Sequence, residues 1–136
     1  TFGSWLDLET HHIEDSIKAV GKVATVDWVF AFADVFEERF GKPLRALYLS
    51  GRSIDALDSE AERLLERFGL FWWARYPRMP FPFSAEYGEQ YGRHEPSKHR
   101  EGYPWFAWQF SCRGHVPGIE GDVDLNLYNG ETLRDV

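Results

Sequence analysis

The sequence is poor in cysteine and has no long apolar run. Its one cysteine, Cys112, excludes an internal disulfide. No apolar run reaches the roughly 20 residues that a membrane-spanning helix needs, so we predict no membrane partner. Basic residues are also scarce, with 15 Lys and Arg against 22 Asp and Glu and a net charge of -7. This balance argues against nucleic acid as a partner, because phosphate binding needs a basic face.

Apolar and aromatic residues are plentiful. Hydrophobic residues make up 43% of the 136 residues, enough to build the core of one domain or of a piece of one. Aromatic residues reach 17%, with six Trp, six Tyr and eleven Phe. Such rings fill cores and strands, or they line a groove that takes sugar faces and flat ligands. The chain opens on Thr1 and shows no signal peptide, so we expect a fragment or a chain whose front has been removed.

The first half of the chain alternates between strand and helix patterns. Short apolar runs predict strands at 3–10, 44–50 and 70–76. Apolar residues at helical spacing predict helices at 25–40 and 58–68. Short connections join these elements, and this order is typical of a parallel sheet wrapped by helices.

The rest of the chain is predicted to contain a polar loop, a long connection and two further strands. Residues 11–21 are polar and predict a loop with a short helical turn. Residues 77–104 contain five of the seven prolines and predict a long connection, which in a compact domain is more often functional than idle. Two further strands are predicted at 105–111 and 122–128, with a turn at 114–121.

Three acids in apolar runs are the candidate catalytic groups. Asp7 and Glu9 are two residues apart, so a strand would present both on one face. Burying two carboxylates side by side is costly, whereas acid/base chemistry on a sugar or phosphate uses such a pair. The structural alternative is a strand end where both acids meet water or one pairs with an arginine. Asp124 is likewise flanked by apolar residues, Val123 and Leu125. Its alternative role is a structural hydrogen bond to a neighbouring loop.

Several other side chains are candidates for binding. Trp72, Arg75 and Tyr76 lie near one predicted strand end, where Arg75 could hold a carboxylate in its charged form. Tyr48 and Tyr76 could bond a sugar or a developing oxyanion. Ordinary packing is the alternative for each tyrosine.

The sequence favours neither a metal nor a cofactor. The His11, His12, Glu14 and Asp15 group matches no ordered zinc spacing, and the HExxH pattern is absent. Cys112 has no evident general base beside it. A glycine loop for phosphate and a GxSxG elbow are both missing.

Six segments together resemble family 25 glycoside hydrolases, the Chalaropsis-type lysozymes of phage endolysins and bacterial autolysins. The segments that carry the resemblance are LDLE at 6–9, LYLS at 47–50, LFWWARY at 70–76, WQFS at 108–111, VPGI at 116–119 and VDLN at 123–126. They occur in the order of the family and cover nearly the whole chain, though not the whole family domain.

The resemblance implies an N-acetylmuramidase with a modified β/α (TIM-like) barrel, whose site lies at the carboxyl ends of the strands. It implies that Glu9 is the general acid and needs a raised pKa, which Asp7 and an apolar wall could supply. Asp7 would stabilise charge at the anomeric centre or orient the substrate acetamido group, and Asp124 would complete the cluster. The implied substrate-binding residues are Tyr48, Trp72, Arg75, Tyr76 and Trp108.

The chain also departs from the family pattern, because nothing before Trp5 corresponds to the family's first acid-bearing strand. We therefore expect residues 1–136 to be the C-terminal part of one muramidase-like domain, with an incomplete barrel whose missing strands a second polypeptide could supply. The expected partner is the peptidoglycan glycan strand, and the expected location is extracellular or at the cell wall, with delivery by phage as one route. The rival hypotheses are a glycan-binding or structural phage component that does not cut, and a small acidic interaction protein.

Overall fold

One five-stranded sheet organises the protein. The structure, a computed structural model, describes residues 4–76 and 105–129. The strands lie side by side in chain order, with β1 to β4 parallel and β5 antiparallel to β4. Because β5 runs backwards, its first residues lie at the same sheet edge as the carboxyl ends of the parallel strands. The strands are β1 (Ser4–Leu8), β2 (Leu44–Ser50), β3 (Leu70–Ala74), β4 (Ala107–Gly114) and β5 (Val123–Tyr128).

Helices connect the parallel strands in the first half of the chain. They are α1 (Thr10–Val20), α2 (Lys22–Phe40), α3 (Gly51–Leu57) and α4 (Ala61–Arg67), with a 3-10 turn at Asp58–Glu60. Gly41 ends α2 in the left-handed conformation at φ 63°, and its N–H bonds to the carbonyl of Glu37. None of the helices in the described part of the chain is long and apolar enough to cross a membrane.

Most predicted elements exist, with shifted ends. The prediction of β2 at 44–50 is confirmed, and α2 begins three residues before the predicted start. The strand predicted at 70–76 ends at Ala74, and the one predicted at 105–111 runs over Ala107–Gly114. The predicted connection at 77–104 lies outside the described residues.

One loop prediction was wrong, and one helix prediction was right only in part. Residues 11–21 are not a polar loop, because α1 covers Thr10–Val20. Ile13 and Ile17 lie one helical turn apart and pack on the core, so this narrow apolar face is enough to hold a mainly polar helix. The helix predicted at 58–68 is shorter, and α3 before it was missed. The two are separated at Asp58, whose φ of 58° breaks the helix.

The helices cover one face of the sheet. Their buried apolar side chains join strand residues such as Leu47, Leu49 and Phe71 in the main core. The opposite face carries a smaller cluster around Phe106, with Trp5 and Trp72 packed against it. The protein is therefore a mixed α/β fold whose sheet has one helix-covered face and one face lined with aromatic rings.

Candidate active site

A cleft of about 560 Å³ lies at the carboxyl ends of β1, β2 and β3. Parallel strands place the residues that follow them along one edge, which is where ligands bind in open and closed α/β sheets. The side chains that line it include Glu9, Thr10, Tyr48, Ser50, Arg75 and Tyr76.

The predicted acid pair lies beside this cleft, but it is not deeply buried. Glu9 lines the cleft and is half-buried, whereas Asp7 is exposed. Burial of both carboxylates is not found, and the alternative of a strand end open to water fits better: Asp7 is exposed near the end of β1, and Glu9 follows its last residue, Leu8. Asp7 pairs in register with Tyr48 and borders a second groove, against α1 and α2.

The electrostatics of Asp7 differ from those of an isolated surface acid. Partial burial of its carboxyl and, next, the nearby charge of Glu9 raise the pKa of Asp7, while His12 and His11 oppose this shift. Among the described residues neither acid forms an ion pair with an arginine. The two acids therefore interact with each other rather than with a fixed cation.

Two tyrosines meet at one buried amide. The Tyr48 hydroxyl donates to Gln109 Oε1 at 2.6 Å, and the Tyr76 hydroxyl donates to the same oxygen at 3.1 Å. Burial, and then the neighbouring Tyr76, raise the pKa of Tyr48, and Glu9 and Asp7 raise it further. Through these hydrogen bonds, Gln109 on β4 joins two residues of the cleft wall, Tyr48 on β2 and Tyr76 just after β3.

Asp124 lies at the same edge of the sheet as Glu9. It is exposed, near the start of β5, and this antiparallel strand begins where the parallel strands end. Burial is the main cause that raises the pKa of Tyr76, but the charge of Asp124 is close enough to raise it as well. Glu9 acts on Tyr48 and Asp124 acts on Tyr76, so the structure brings the three predicted acids around one pair of phenols.

An aromatic wall continues from the cleft along the exposed sheet face. Trp72 lies 5.3 Å from Trp5 and 5.5 Å from Tyr48 between ring centroids, in edge-to-face contacts. Its Nε1–H donates to Asn126 Oδ1 at 2.8 Å, across the small side chain of Ala107 on β4. The rings of Trp72 and Tyr48 are thus held in place beside the acids.

Two predicted substrate-binding residues, Trp108 and Arg75, have surroundings that differ from those expected. Trp108 is 1% exposed and packs in the core under the helices, so its placement does not support contact with a substrate. Its Nε1–H donates to the carbonyl of Arg75 at 2.8 Å and so fixes the chain after β3. Arg75 lines the cleft, but its buried Nη1 has no hydrogen-bond partner among the described residues. Burial lowers the pKa of Arg75.

Sequence reasoning missed a hydroxyl cluster and the amide between the tyrosines. Thr10 Oγ1 lies 2.6 Å from Ser50 Oγ and 3.2 Å from Ser53 Oγ, which ties the residue after Glu9 to the start of α3. A serine that ends a strand just before a helix is a cap signal that could have been found. Gln109, a polar residue within an apolar strand, was a comparable signal.

The two histidines and the cysteine considered from the sequence lie on the exposed surface. His11 and His12 stack with ring centroids 3.9 Å apart on the exposed side of α1. Within residues 4–76 and 105–129, no group of three His, Cys, Asp or Glu residues is close enough to hold a metal ion. Cys112 is exposed.

Comparison with known proteins links a short part of the chain to a lysozyme. A segment of 34 residues is 50% identical to Lysozyme M1 of Streptomyces globisporus and covers 24% of this chain and 12% of that protein. A segment of 30 residues is 53% identical to the uncharacterized protein YegX of Escherichia coli, in strain K12 and in O157:H7, and covers 22% of this chain and 11% of YegX. The chain thus matches about an eighth of the length of these relatives. No family model and no solved structure matches it.

Proposed function

We propose that this protein is a peptidoglycan hydrolase of the N-acetylmuramidase type. The proposal rests mainly on one observation: Glu9, just after β1, and Asp124, on β5, are far apart in the chain but lie at one sheet edge around the two tyrosines of a cleft. The 34-residue similarity to a lysozyme supports the same assignment. The substrate would be the bond between N-acetylmuramic acid and N-acetylglucosamine, and the site of action would be the bacterial cell wall.

Each acid has a role in this proposal. Glu9, half-buried in the cleft wall, would protonate the leaving oxygen as general acid. Asp7 would stabilise positive charge at the anomeric centre, or orient the substrate acetamido group. Asp124, at the far side of the two tyrosines, would complete the negative field that an oxocarbenium-like transition state needs.

The aromatic face supports a sugar ligand. Trp72 and Tyr48 present ring surfaces on which the apolar faces of a pyranose can pack, and Tyr76 is 49% exposed at the cleft. The wall contains hydrogen-bonding groups held in fixed positions by Gln109 and Asn126. A polymer of amide-bearing sugars fits this mixture of rings and polar atoms.

A cleavage assay with one substitution tests the proposal. Glu9→Gln removes the proton donor while preserving size, and we expect muropeptide release from purified cell walls to fall by about 10²–10⁴-fold. Glu38→Gln, an exposed glutamate on α2, is the matched control and should release muropeptides at the wild-type rate. Near wild-type release by Glu9→Gln would refute the assignment of Glu9.

Binding without cutting is the outcome that favours a glycan-binding component over an enzyme. The aromatic wall would serve both functions equally well. If the wild-type protein co-sediments with purified walls but releases no soluble muropeptide, the glycan-binding proposal therefore replaces the hydrolase proposal.

We also propose that the sheet is part of a β/α barrel that further strand–helix units complete at β1. Sequential parallel strands with helices on one face are the arrangement from which such barrels are built. Among the described strands, β1 pairs only with β2 and so leaves one edge open. Beside it, α2 exposes Trp28 (57%) and Val35 (58%), and a groove of about 510 Å³ runs from Asp7 to Trp28.

Light scattering tests whether a second chain supplies those units. We expect the 15.9 kDa polypeptide to elute as part of a larger assembly, or to unfold when separated from it. A stable monomer of this mass, folded and active on cell walls, would contradict the proposal.

A further inference from the structure

Gln109 is a buried polar residue that contacts two side chains of the cleft wall. It is 3% exposed, on β4, and its Oε1 accepts the hydroxyl protons of both Tyr48 and Tyr76. The register of the sheet explains how the tyrosines reach it: Ser50, Ala74 and Gln109 pair in turn across β2, β3 and β4. The small side chain of Ala74 leaves room for the Tyr48 ring to lean towards Gln109.

The chemistry of the three groups fixes where the protons are. A phenol has one proton to donate, and an amide oxygen can only accept. The two hydroxyls also hydrogen-bond each other, and Tyr76 contacts Cys112. With the Tyr48 proton on Gln109 and the Tyr76 proton on Gln109 or on Tyr48, the hydroxyl oxygens have only lone pairs left for a ligand. Since burial raises the pKa of both tyrosines, they keep these protons at neutral pH.

We infer that Gln109 is a positioning residue that makes Tyr48 and Tyr76 a pair of hydrogen-bond acceptors for the N–H and O–H groups of an N-acetylated sugar. This inference rests on the proposed function. The two phenols, which could otherwise donate or accept, are restricted by one buried amide to accepting. Gln109 itself contacts the tyrosines, and it affects the sugar only through them.

The acids on either side of the two tyrosines explain why this restriction to accepting matters. Glu9 and Asp7 act on Tyr48 from one side, and Asp124 acts on Tyr76 from the other. A phenol free to rotate would donate its proton to the nearest carboxylate, and such a bond would draw an acid away from the sugar. Holding both protons in these hydrogen bonds keeps the carboxylates available for catalysis.

The test is a double-mutant cycle on binding of the trisaccharide tri-N-acetylchitotriose, measured by titration calorimetry. Gln109→Met removes the acceptor at similar volume and should weaken binding about 3- to 10-fold for the hydrogen bonds it disturbs. The Tyr48→Phe/Tyr76→Phe double variant should weaken binding at least as much. Adding Gln109→Met to that double variant should cause no further loss, because Gln109 acts only through the two hydroxyls.

A control variant separates positioning from general damage to the strand. Ser111→Ala, a buried change on the same strand away from the tyrosines, should bind as wild type. In wall digestion, Gln109→Met should raise KM and also lower kcat, because a released phenol proton would then bond to a carboxylate.

Each outcome decides the inference. Wild-type affinity in Gln109→Met overturns it, and so does additive loss in the triple variant, because Gln109 would then act independently of the tyrosines. If Gln109→Met does not fold, wild-type affinity in the tyrosine double variant overturns it equally. If the wild-type protein neither binds the trisaccharide nor cleaves walls, the proposed function itself fails and the inference fails with it.

Discussion

Removal of one hydroxyl at the cleft should measurably destabilise the protein. Ser50 caps α3, where its Oγ accepts the backbone N–H of Ser53 at 3.1 Å. The same oxygen lies 2.6 Å from Thr10 Oγ1 and 3.2 Å from Ser53 Oγ. Ser50→Ala would leave the helix start uncapped and would deprive Thr10, the residue after Glu9, of its shortest hydrogen bond.

The size of the effect follows from these contacts. Loss of a serine N-cap costs about 0.5–2 kcal/mol. A hydroxyl–hydroxyl hydrogen bond such as that to Thr10 contributes about 0.5–1.5 kcal/mol net. Thr10 still has Ser53 Oγ at 3.2 Å, so part of this second contribution is retained. We therefore expect Ser50→Ala to lower the free energy of unfolding by about 2 kcal/mol.

Urea unfolding followed by circular dichroism measures this change as a shift in the midpoint urea concentration, with the dependence of the unfolding free energy on urea unchanged. Ser59→Ala is the matched control, because Ser59 is exposed in the 3-10 turn and should change stability by less than about 0.5 kcal/mol. If Ser50→Ala unfolds at the same urea concentration as Ser59→Ala, the hydroxyl cluster does not stabilise the cleft and the reasoning is refuted.

Three further perturbations follow from the structure. Since the folded protein raises the pKa of Asp7, it binds that proton more tightly than the unfolded chain, so this contribution to stability is lost as pH rises. Asp7→Asn should then stabilise the protein at pH 7, by less than about 1 kcal/mol because Asp7 is exposed, and the gain should vanish near pH 3 in urea titrations. Gly114→Ala would bring a Cβ to 2.6 Å from Leu125 Cδ1 and should cost about 1–3 kcal/mol in the same assay. Trp72→Phe removes the indole donor that links β3 to β5 and should lower the free energy of unfolding by about 1 kcal/mol. An unchanged urea midpoint for Gly114→Ala or for Trp72→Phe would contradict these contacts.

Strands and long helices were readable from the sequence where their apolar pattern was strong. The strand at 44–50 has four buried side chains, so its pattern has little ambiguity. The helix at 22–40 repeats apolar residues over five turns. By contrast, α1 has one buried residue, Ile13, and a pattern that narrow is hard to distinguish from a polar loop.

The candidate site was only partly predictable. The two-residue spacing of Asp7 and Glu9 predicted that both lie on one strand face, but it could not show that β1 ends at Leu8, before Glu9, so the burial of both acids was overestimated. Trp108 belonged to the right segment, yet its side chain points under the helices, because alternate residues of a strand face opposite sides. The role of Gln109 depends on three adjacent strands in register, which no local pattern contains.

The most direct test of the hydrolase proposal is to identify the sugar at the new reducing ends that cleavage creates. Purified peptidoglycan is digested with the protein, the products are reduced with borohydride, and the sugar at the new reducing end is identified by mass spectrometry. We predict muramitol ends, released by the wild-type protein and lost in Glu9→Gln. Release of no soluble fragments, or of fragments ending in reduced N-acetylglucosamine, would contradict the assignment.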